Sequence, residues 1–550
     1  MRSARGAATR RIPRADGFLI GRRRRFGPWL AVAAAGGATV LAYPPFAVPG
    51  IGLVMLAPLA YALDGLGARR GFLATWLYTL GSALAIVHWL VYALVVEYRV
   101  PALPAGAFAV VVVGGIALAT AVAGAGFAAL APKLTDLWAP LAFASLWMLG
   151  EWLRGAWLGV PWLLVAHTLA RLPLAIQSAD LGGSYAVGLA PAALGAGLGL
   201  ALRRRSLRPL AIPAGLAAAA VGYGAWRLAG QAPGAPTFRV GVVQASVPQE
   251  ERFQPGSAAR NVARHTAATR ALAARERLDL LVWSETAVDI DLDSTPSLRA
   301  ALEQLATETG VPLVTGAPRS EGGRHTNSVV LFAPGRGLVE SYAKQVLVPW
   351  SEYDPKLGGV LAALIGPVTE GEPYRAGELA TVLRGGPLPL STPVCFEVTY
   401  PNLVRRFRAN GAVLFVNLSN DAWFGPVGYP QMHLAHAIFR AVEERSWVVR
   451  GANTGISAAI DPAGRVVAEV PAFQSGTFTA DVWAAGAPPF YARNGDAPAI
   501  AALAALAALS AVGSRGGGRA GATAARRKRD DSRTVERRGR VGAAARGGEG

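Results

Sequence analysis

Seven apolar runs crowd the first 228 residues of this 550-residue chain. They cover 28–43, 49–64, 71–96, 106–131, 138–153, 182–201 and 209–228, and an eighth lies at 496–513. A helix that crosses a bilayer needs roughly 20 apolar residues, so the 16-residue runs sit at the short end of that class. With 52% hydrophobic and 16% charged residues, the chain is too apolar for an ordinary soluble protein of this size. The expected architecture therefore starts with a membrane α-helical bundle of about eight spans. A basic start followed by an apolar run also fits a cleaved export signal. Further runs follow within a few residues, however, and no small-x-small cleavage site stands out, so the first run reads as a retained span.

The net charge of +19 invites a nucleic-acid partner, but its distribution argues against one. Residues 1–27 carry nine Arg against one Asp, and residues 514–550 carry eleven Lys or Arg against four acids. Residues 236–495 are near neutral, with 23 basic and 24 acidic side chains. The excess sits in tails and short loops, with no aromatic-interleaved basic surface, so no nucleic-acid partner is expected. Under strict alternation of spans, the arginines at 22–25, Arg69 and Arg70, Lys133, and the arginines at 203–205 with Arg208 all fall on one side. The other loops, 43–50, 97–104 and 155–181, are poor in Lys and Arg. The positive-inside rule puts the first set in the cytoplasm. This divides the chain into a basic cytoplasmic tail (1–27), a seven-span bundle (28–228), an extracytoplasmic domain (236–495), an eighth span (496–513) and a basic tail (514–550). The last is Gly-, Ala- and Arg-rich without periodicity and reads as disordered.

Within 236–495 the pattern changes. Short β-branched runs recur at 238–243, 278–283, 311–315, 328–332, 412–416, 457–460 and 465–470, with helix-like stretches at 258–277 and 432–445 between them. Such alternation predicts a layered α/β domain.

Cys395 is the only cysteine in the chain, so it closes no intrachain disulfide and serves either packing or thiol chemistry. It follows the strand-like run 388–394. Glu285 ends the apolar run 280–284, where it acts either as a projecting functional carboxylate or as a surface-turn acid. Lys344 is one of four lysines beside fifty arginines, and a lysine shares or loses a proton more readily than an arginine. Acylation of a thiol needs a base for its proton and a positioned donor for the oxyanion. A carboxylate, an ammonium and a thiol supply those parts.

The flanking residues carry a resemblance. The order Glu285, Lys344, Cys395 resembles the triad of the nitrilase (carbon–nitrogen hydrolase) superfamily. Residues 341–355 (SYAKQVLVPWSEYDP) resemble the K-x-x-L-V-P-F-G-E-Y-x-P segment of apolipoprotein N-acyltransferases. Trp283-Ser284-Glu285 is similar to their W-P-E and Cys395-Phe396-Glu397 to their C-Y-E. Further matches are VQASVPQ at 243–249, VNLSNDAWFG at 416–425 and RGANTGIS at 450–457, followed by Pro462-Ala463-Gly464. In the first half Tyr43-Pro44-Pro45-Phe46, Glu151-Trp152-Leu153-Arg154-Gly155, Pro161-Trp162 and 177–183 agree as well. The resemblance spans about residues 28–513. Phe396 stands where Tyr is usual, Ser284 where Pro is, Trp350-Ser351 where Phe-Gly is, and Phe253 where Trp is frequent.

The resemblance implies an αββα nitrilase-like sandwich carried by the bundle, in a bacterial inner membrane. It implies acyl transfer from a phospholipid, typically phosphatidylethanolamine, through a Cys395 thioester to the α-amine of a diacylglyceryl apolipoprotein. Glu285 would be the base and Lys344, with the Phe396 backbone N–H, the oxyanion donor. Glu352 would orient Lys344, while Glu397, Asn420, Trp423, Phe424 and Phe253 would support or wall the pocket. No cofactor is expected. The histidines at 265, 325, 433 and 436 show no metal-ligand spacing, so no metal is expected either. The apolar segment 361–367 suits a lid or membrane-dipping arm, or equally core, and the protein is expected to act as a monomer. Two other readings stay open: a membrane-anchored amidase or nitrilase with water as acceptor, and a transporter or scaffold with a vestigial domain. The scarcity of ionisable residues in the spans weighs against the transporter.

Overall fold

The computed structural model describes residues 23–230, 234–252, 254–353, 373–510 and 512. Phe253, the 361–367 segment and the tail from 513 lie outside the described residues. Each apolar run of the first half is helical: α1 (Arg23–Ala38), α2 (Ala57–Leu63), α3 (Ala68–Ile86), α4 (Ala102–Leu130), α5 (Ala139–Leu158), α6 (Ala179–Arg204) and α7 (Ala211–Ala229). The run 71–96 is not one rod. It breaks at Val87, and the helical turns of His88–Glu97 leave α3 at 56°. By length and hydropathy, Ala102–Lys133, Ala179–Arg204 and Arg208–Ala229 are long and apolar enough to cross a membrane, and the bent pair makes a fourth if it counts as one span. Phe26–Ala42, Ile51–Leu63 and Ala497–Ser510 are apolar but shorter.

The α/β half is built from two sheets. The first has the order β11-β1-β2-β3-β4-β5 and the second β10-β9-β8-β7-β6. The strands are β1 (Thr237–Gln244), β2 (Leu280–Val282), β3 (Leu313–Glu321), β4 (Arg324–Ala333), β5 (Gly337–Ala343), β6 (Leu390–Ser391), β7 (Leu414–Ser419), β8 (Val448–Ala452), β9 (Ser457–Ile460), β10 (Val466–Val470) and β11 (Gly476–Trp483). Each sheet has three parallel strands (β1, β2, β3 and β6, β7, β8) and antiparallel neighbours beyond them.

Side-chain parity explains the layering. Leu280 and Val282, Val329 and Leu331 meet Leu414, Val416 and Val448 in one core between the sheets. Their neighbours Leu281, Trp283, Val330 and Phe332 face the other way, onto α8 (Ser257–Ala273) and α9 (Pro296–Thr309). On the far side α10 (Pro401–Ala409) and α11 (Tyr429–Glu444) cover the second sheet through Phe407, Leu434 and Ile438. The result is helix, sheet, sheet, helix. The chain then passes through α12 (Phe490–Asn494) into α13 (Ala497–Ser510).

The two halves share buried surface. Tyr429 and Met432 of α11 belong to the core of the helical half. At the other end of α11, Arg445 pairs with Asp180 (2.7 Å) and bonds Gln177 (2.6 Å), whose side-chain amide also donates to the Ala463 carbonyl (2.9 Å). With so many buried polar atoms satisfied across the joint, one fixed docking is favoured over sliding.

Candidate active site

Strand ends deliver the three candidate side chains. Glu285 leaves the sheet after β2, Lys344 directly follows β5, and Cys395 opens a short 3-10 turn after β6. All three face one cavity of about 230 Å³ and are almost wholly buried, at 5%, 1% and 5% exposure. Cys395 has φ +48, a left-handed conformation that a side chain with a Cβ adopts at a cost of about 1–3 kcal/mol. The turn is pinned from both sides. His433 Nε2 lies 3.0 Å from the Cys395 carbonyl oxygen. A carbonyl only accepts, so Nε2 carries the proton.

Glu397, the other acid of the turn, does not face the cavity. One oxygen accepts from Tyr342 Oη (2.8 Å), the Gln345 N–H (2.6 Å) and the Val346 N–H (3.0 Å), and the other from the Val394 N–H (2.7 Å). It thus ties the backbone just after Lys344 to the backbone just before Cys395. Burial pushes its carboxyl up to about 7, against the pull of those N–H donors.

Lys344 sits between two carboxylates. Its Nζ is 3.3 Å from Glu285 Oε1 and 2.9 Å from Glu352 Oε1. Asn327, on β4, spends both protons of its amide on the same two oxygens, each at 2.8 Å. The Asn420 N–H donates to the other oxygen of Glu285 (2.8 Å), and the Val348 N–H to the other oxygen of Glu352 (2.7 Å). Burial opposes the charge on Lys344, yet the flanking Glu285 and Glu352 outweigh it and hold the ammonium well above its usual range. Burial, with Glu285 next, pushes the Cys395 thiol up, and Lys344 only partly offsets this. The resting thiol is therefore protonated, and it could act as a nucleophile only with a base to take its proton.

The remaining wall comes from both halves of the molecule. Trp423 stacks on Tyr98 (5.4 Å between centroids, 11°), and Phe424 packs edge-on against Trp89 (5.2 Å). Phe396 stacks on Trp162 (6.3 Å), Trp350 meets Phe108 of α4 (5.2 Å), and Tyr98 Oη donates to Ser351 Oγ (2.9 Å). The loop bends sharply after Phe424 because Gly425 has φ +64 and passes so close to Tyr92 that a Cβ would enter its ring. Seven of the expected residues, Glu285, Lys344, Cys395, Glu352, Asn420, Trp423 and Phe424, line the cavity. Phe396 and Glu397 support it from outside.

Sequence reading missed Asn327, Arg252, Asp289 and Tyr374 of the lining, and the group behind the nucleophile. Asp421 Oδ2 accepts from Arg450 (2.8 Å), and the ring of His433 is wedged beside them. Burial disfavours the charge on Asp421, but Arg450 and His433 hold its carboxyl well below the usual range. Cys395, Asp421 and His433 present possible ligand atoms within 4.8 Å of one another. Arg450, Ser419 and the Cys395 carbonyl already engage the carboxylate and the imidazole, so this trio works as a scaffold for the turn. These residues come from separate elements, and no spacing in the chain links them.

Residues 239–487 match the family model described as carbon-nitrogen hydrolase, and residues 35–198 the model described as apolipoprotein N-acyltransferase N-terminal domain. Among curated proteins, the apolipoprotein N-acyltransferase of Pseudomonas syringae pv. tomato is 31% identical over 475 residues, covering 82% of this chain and 90% of that protein. The one from Azotobacter vinelandii is 32% identical, with 82% and 89% covered. Among solved structures, an amidase from Nesterenkonia sp. is similar at 20% identity and a TM-score of 0.35, over 48% of this chain and 94% of that one.

Proposed function

The chain belongs to the apolipoprotein N-acyltransferase family, and on that footing we propose that it moves an acyl chain from a membrane phospholipid to a lipoprotein by way of Cys395. Glu285 takes the thiol proton as sulfur attacks the sn-1 ester carbonyl of the donor, proposed to be phosphatidylethanolamine. Lys344 stabilises the oxyanion. Collapse breaks the ester bond, Glu285 returns the proton to the departing glycerol oxygen, and lysophospholipid leaves a thioester on Cys395. The α-amine of an S-diacylglyceryl cysteine then attacks the thioester carbonyl. Glu285 removes the amine proton, and the sulfur leaves as a thiolate that is reprotonated. The product is an amide.

One observation carries this reading. A buried thiol, an ammonium and two carboxylates face a cavity whose outer wall is aromatic and partly supplied by the apolar helical half. That mixture suits a substrate with a reactive polar head and a long apolar tail. Water as acceptor, the amidase alternative, gains no specific support from the site.

The proposal extends to eight crossings, with the α/β half outside the cytoplasm of a bacterial inner membrane and the chain acting as a monomer. The charge asymmetry of the loops supports that orientation. Purified chain given labelled phospholipid and an S-diacylglyceryl peptide should yield lysophospholipid and N-acyl peptide in equal amounts. Release of free fatty acid with the peptide unmodified would select the amidase instead.

A further inference from the structure

Away from Cys395, a second hollow opens where the α/β half meets the ends of α5 and α13. It is a trough of about 580 Å³ whose apolar wall is made by Trp152, Ala156, Ile500, Ala501 and Ala504 and whose polar end carries Asn402, Arg405, Asn494 and Asp496. Next to it lies a basin of about 290 Å³ lined by Arg405, Arg406, Arg408 and Arg493. Asn402 and Arg405 line both, so trough and basin are continuous. No residue of either hollow lines the Cys395 cavity.

The arginines bond to neutral oxygens. Arg405 donates to the carbonyls of Tyr491 (3.1 Å), Ala492 (3.2 Å) and Arg493 (3.2 Å) and to Asn402 Oδ1 (3.2 Å). Arg406 donates to Gln345 Oε1 (3.1 Å), and Arg408 to the Ala412 carbonyl (2.8 Å) and to that of Gly486. Among the described residues, none of the four has a carboxylate within ion-pair distance. Asp496, the acid on the trough wall, accepts from Tyr491 Oη (2.7 Å). Four guanidinium groups therefore line the hollow with no carboxylate in ion-pair contact, the buried Glu444 acting on Arg408 and Arg405 only at longer range.

The order of the hollow along the helices is as telling as its charge. The arginines and Asn494 lie at the end where α13 begins and α5 finishes. Ile500 and Ala504 on one helix, and Ala156 and Trp152 on the other, lead away from that end one turn at a time. Trp157, 77% exposed on the last turn of α5, fits the aromatic belt of a membrane–water boundary. A basic head followed by an apolar trough repeats the order of a lipid with a charged headgroup.

We propose that this hollow is a second phospholipid site, distinct from the acyl-donor cavity and occupied by an anionic phospholipid of the bilayer. The phosphate lies among the arginines, whose planar donors match phosphate oxygens, and an acyl chain lies along the trough. The inference rests on reading the helices as membrane spans and is independent of the chemistry at Cys395.

The test uses the full chain with Cys395→Ala, which leaves the second site intact and prevents turnover. The protein is embedded in phosphatidylcholine vesicles doped with a phospholipid bearing a photoreactive diazirine in its acyl chain. The headgroup of this probe is either phosphatidylglycerol or phosphatidylcholine. The glycerol probe should label peptides containing residues 152–156 or 500–504 about fivefold more strongly than the choline probe. The exposed pair Arg406→Gln and Arg493→Gln should erase most of that preference, and Ala504→Phe should block labelling of the trough with either headgroup. Equal labelling by the two probes, or a preference untouched by the arginine pair, would leave only ordinary annular lipid and overturn the proposal. Because the adduct assay on Cys395 is run separately on the wild-type chain, failure here leaves the catalytic reading standing.

Discussion

In the α/β half consecutive side chains have opposite fates. Leu280 and Val282 enter the core between the sheets, and Leu281 and Trp283 pack under α8 and α9. In the helical half the outward face is apolar too. Along α4, Phe108 and Val113 are buried while Val110, Val111, Leu118 and Val122 are exposed. One half presents its polar residues to solvent, and the other presents a face of valine and leucine suited to lipid. The proposed reacting groups lie at the seam. Glu285, Lys344 and Cys395 come from the half that can stabilise charge, and Tyr98 and Trp89 come from the half that holds apolar chains.

If the seam is catalytic, removing its charges should hurt most. Glu285→Gln and Lys344→Met should each slow formation of the acyl adduct by about 10²–10⁴-fold, read as single-turnover rates by mass spectrometry. A near-normal rate in either variant would mean the polar half does not supply the base and the donor. Asn327→Leu keeps the side-chain volume but removes both amide bonds to Glu285 and Glu352. Hydrogen bonds to charged groups are worth about 1.5–3 kcal/mol, so the same rate should fall about 10–100-fold; no change would mean Lys344 alone fixes the carboxylates.

The contribution of the apolar half should be smaller and of another kind. Trp423→Ala loses the stack on Tyr98, and an aromatic pair is worth about 0.5–1.5 kcal/mol. The KM for phospholipid should rise about two- to tenfold with kcat less affected. An effect on kcat alone would place Trp423 with the reacting groups.

The gentlest test concerns stability. Glu444 is fully buried, and among the described residues neither of its oxygens has a hydrogen-bond partner. Burial, helped by Glu443, raises its carboxyl from 4.5 to about 8. The unfolded chain ionises here near the lower value and the folded chain only near the higher one. Stability is therefore lost as pH rises through that window, and the loss is complete above it. Glu444→Gln should raise the thermal midpoint in detergent at about pH 9, by the equivalent of about 1–3 kcal/mol, and change little at about pH 4. A gain independent of pH would point to packing instead of ionisation.

Sequence legibility also differed between the halves. The apolar runs identified every long helix of the first half, because apolarity needs no register, and left out the short helix Pro173–Ile176. They concealed the break at Val87 and the non-helical Gly182 and Gly183 inside α6, where tertiary contacts decide the path. In the α/β half the seven expected runs all became strands. β5, β8 and β11 escaped notice for local reasons: β8 buries Arg450 in its centre, and β5 and β11 alternate with polar residues on partly exposed faces, while β6 keeps only two residues of the strand-like run 388–394. In the site, residues embedded in contiguous motifs were legible. Asn327 and His433 were not, and although Asp421 and Arg450 lie inside such motifs, their pairing was hidden because folding alone brings the group together. Glu397 was legible as an acid but not as a clamp, since its four donors come from two distant segments.

The central claim is that the seam works through a covalent intermediate on its one thiol. Intact mass of the purified chain after incubation with phospholipid, before any acceptor is added, tests it directly. A gain equal to one fatty acid less water is predicted, mapping to Cys395, absent in Cys395→Ala and removed by hydroxylamine or by an S-diacylglyceryl peptide. Full transfer activity in Cys395→Ala, or turnover with no adduct at any time, would contradict the account.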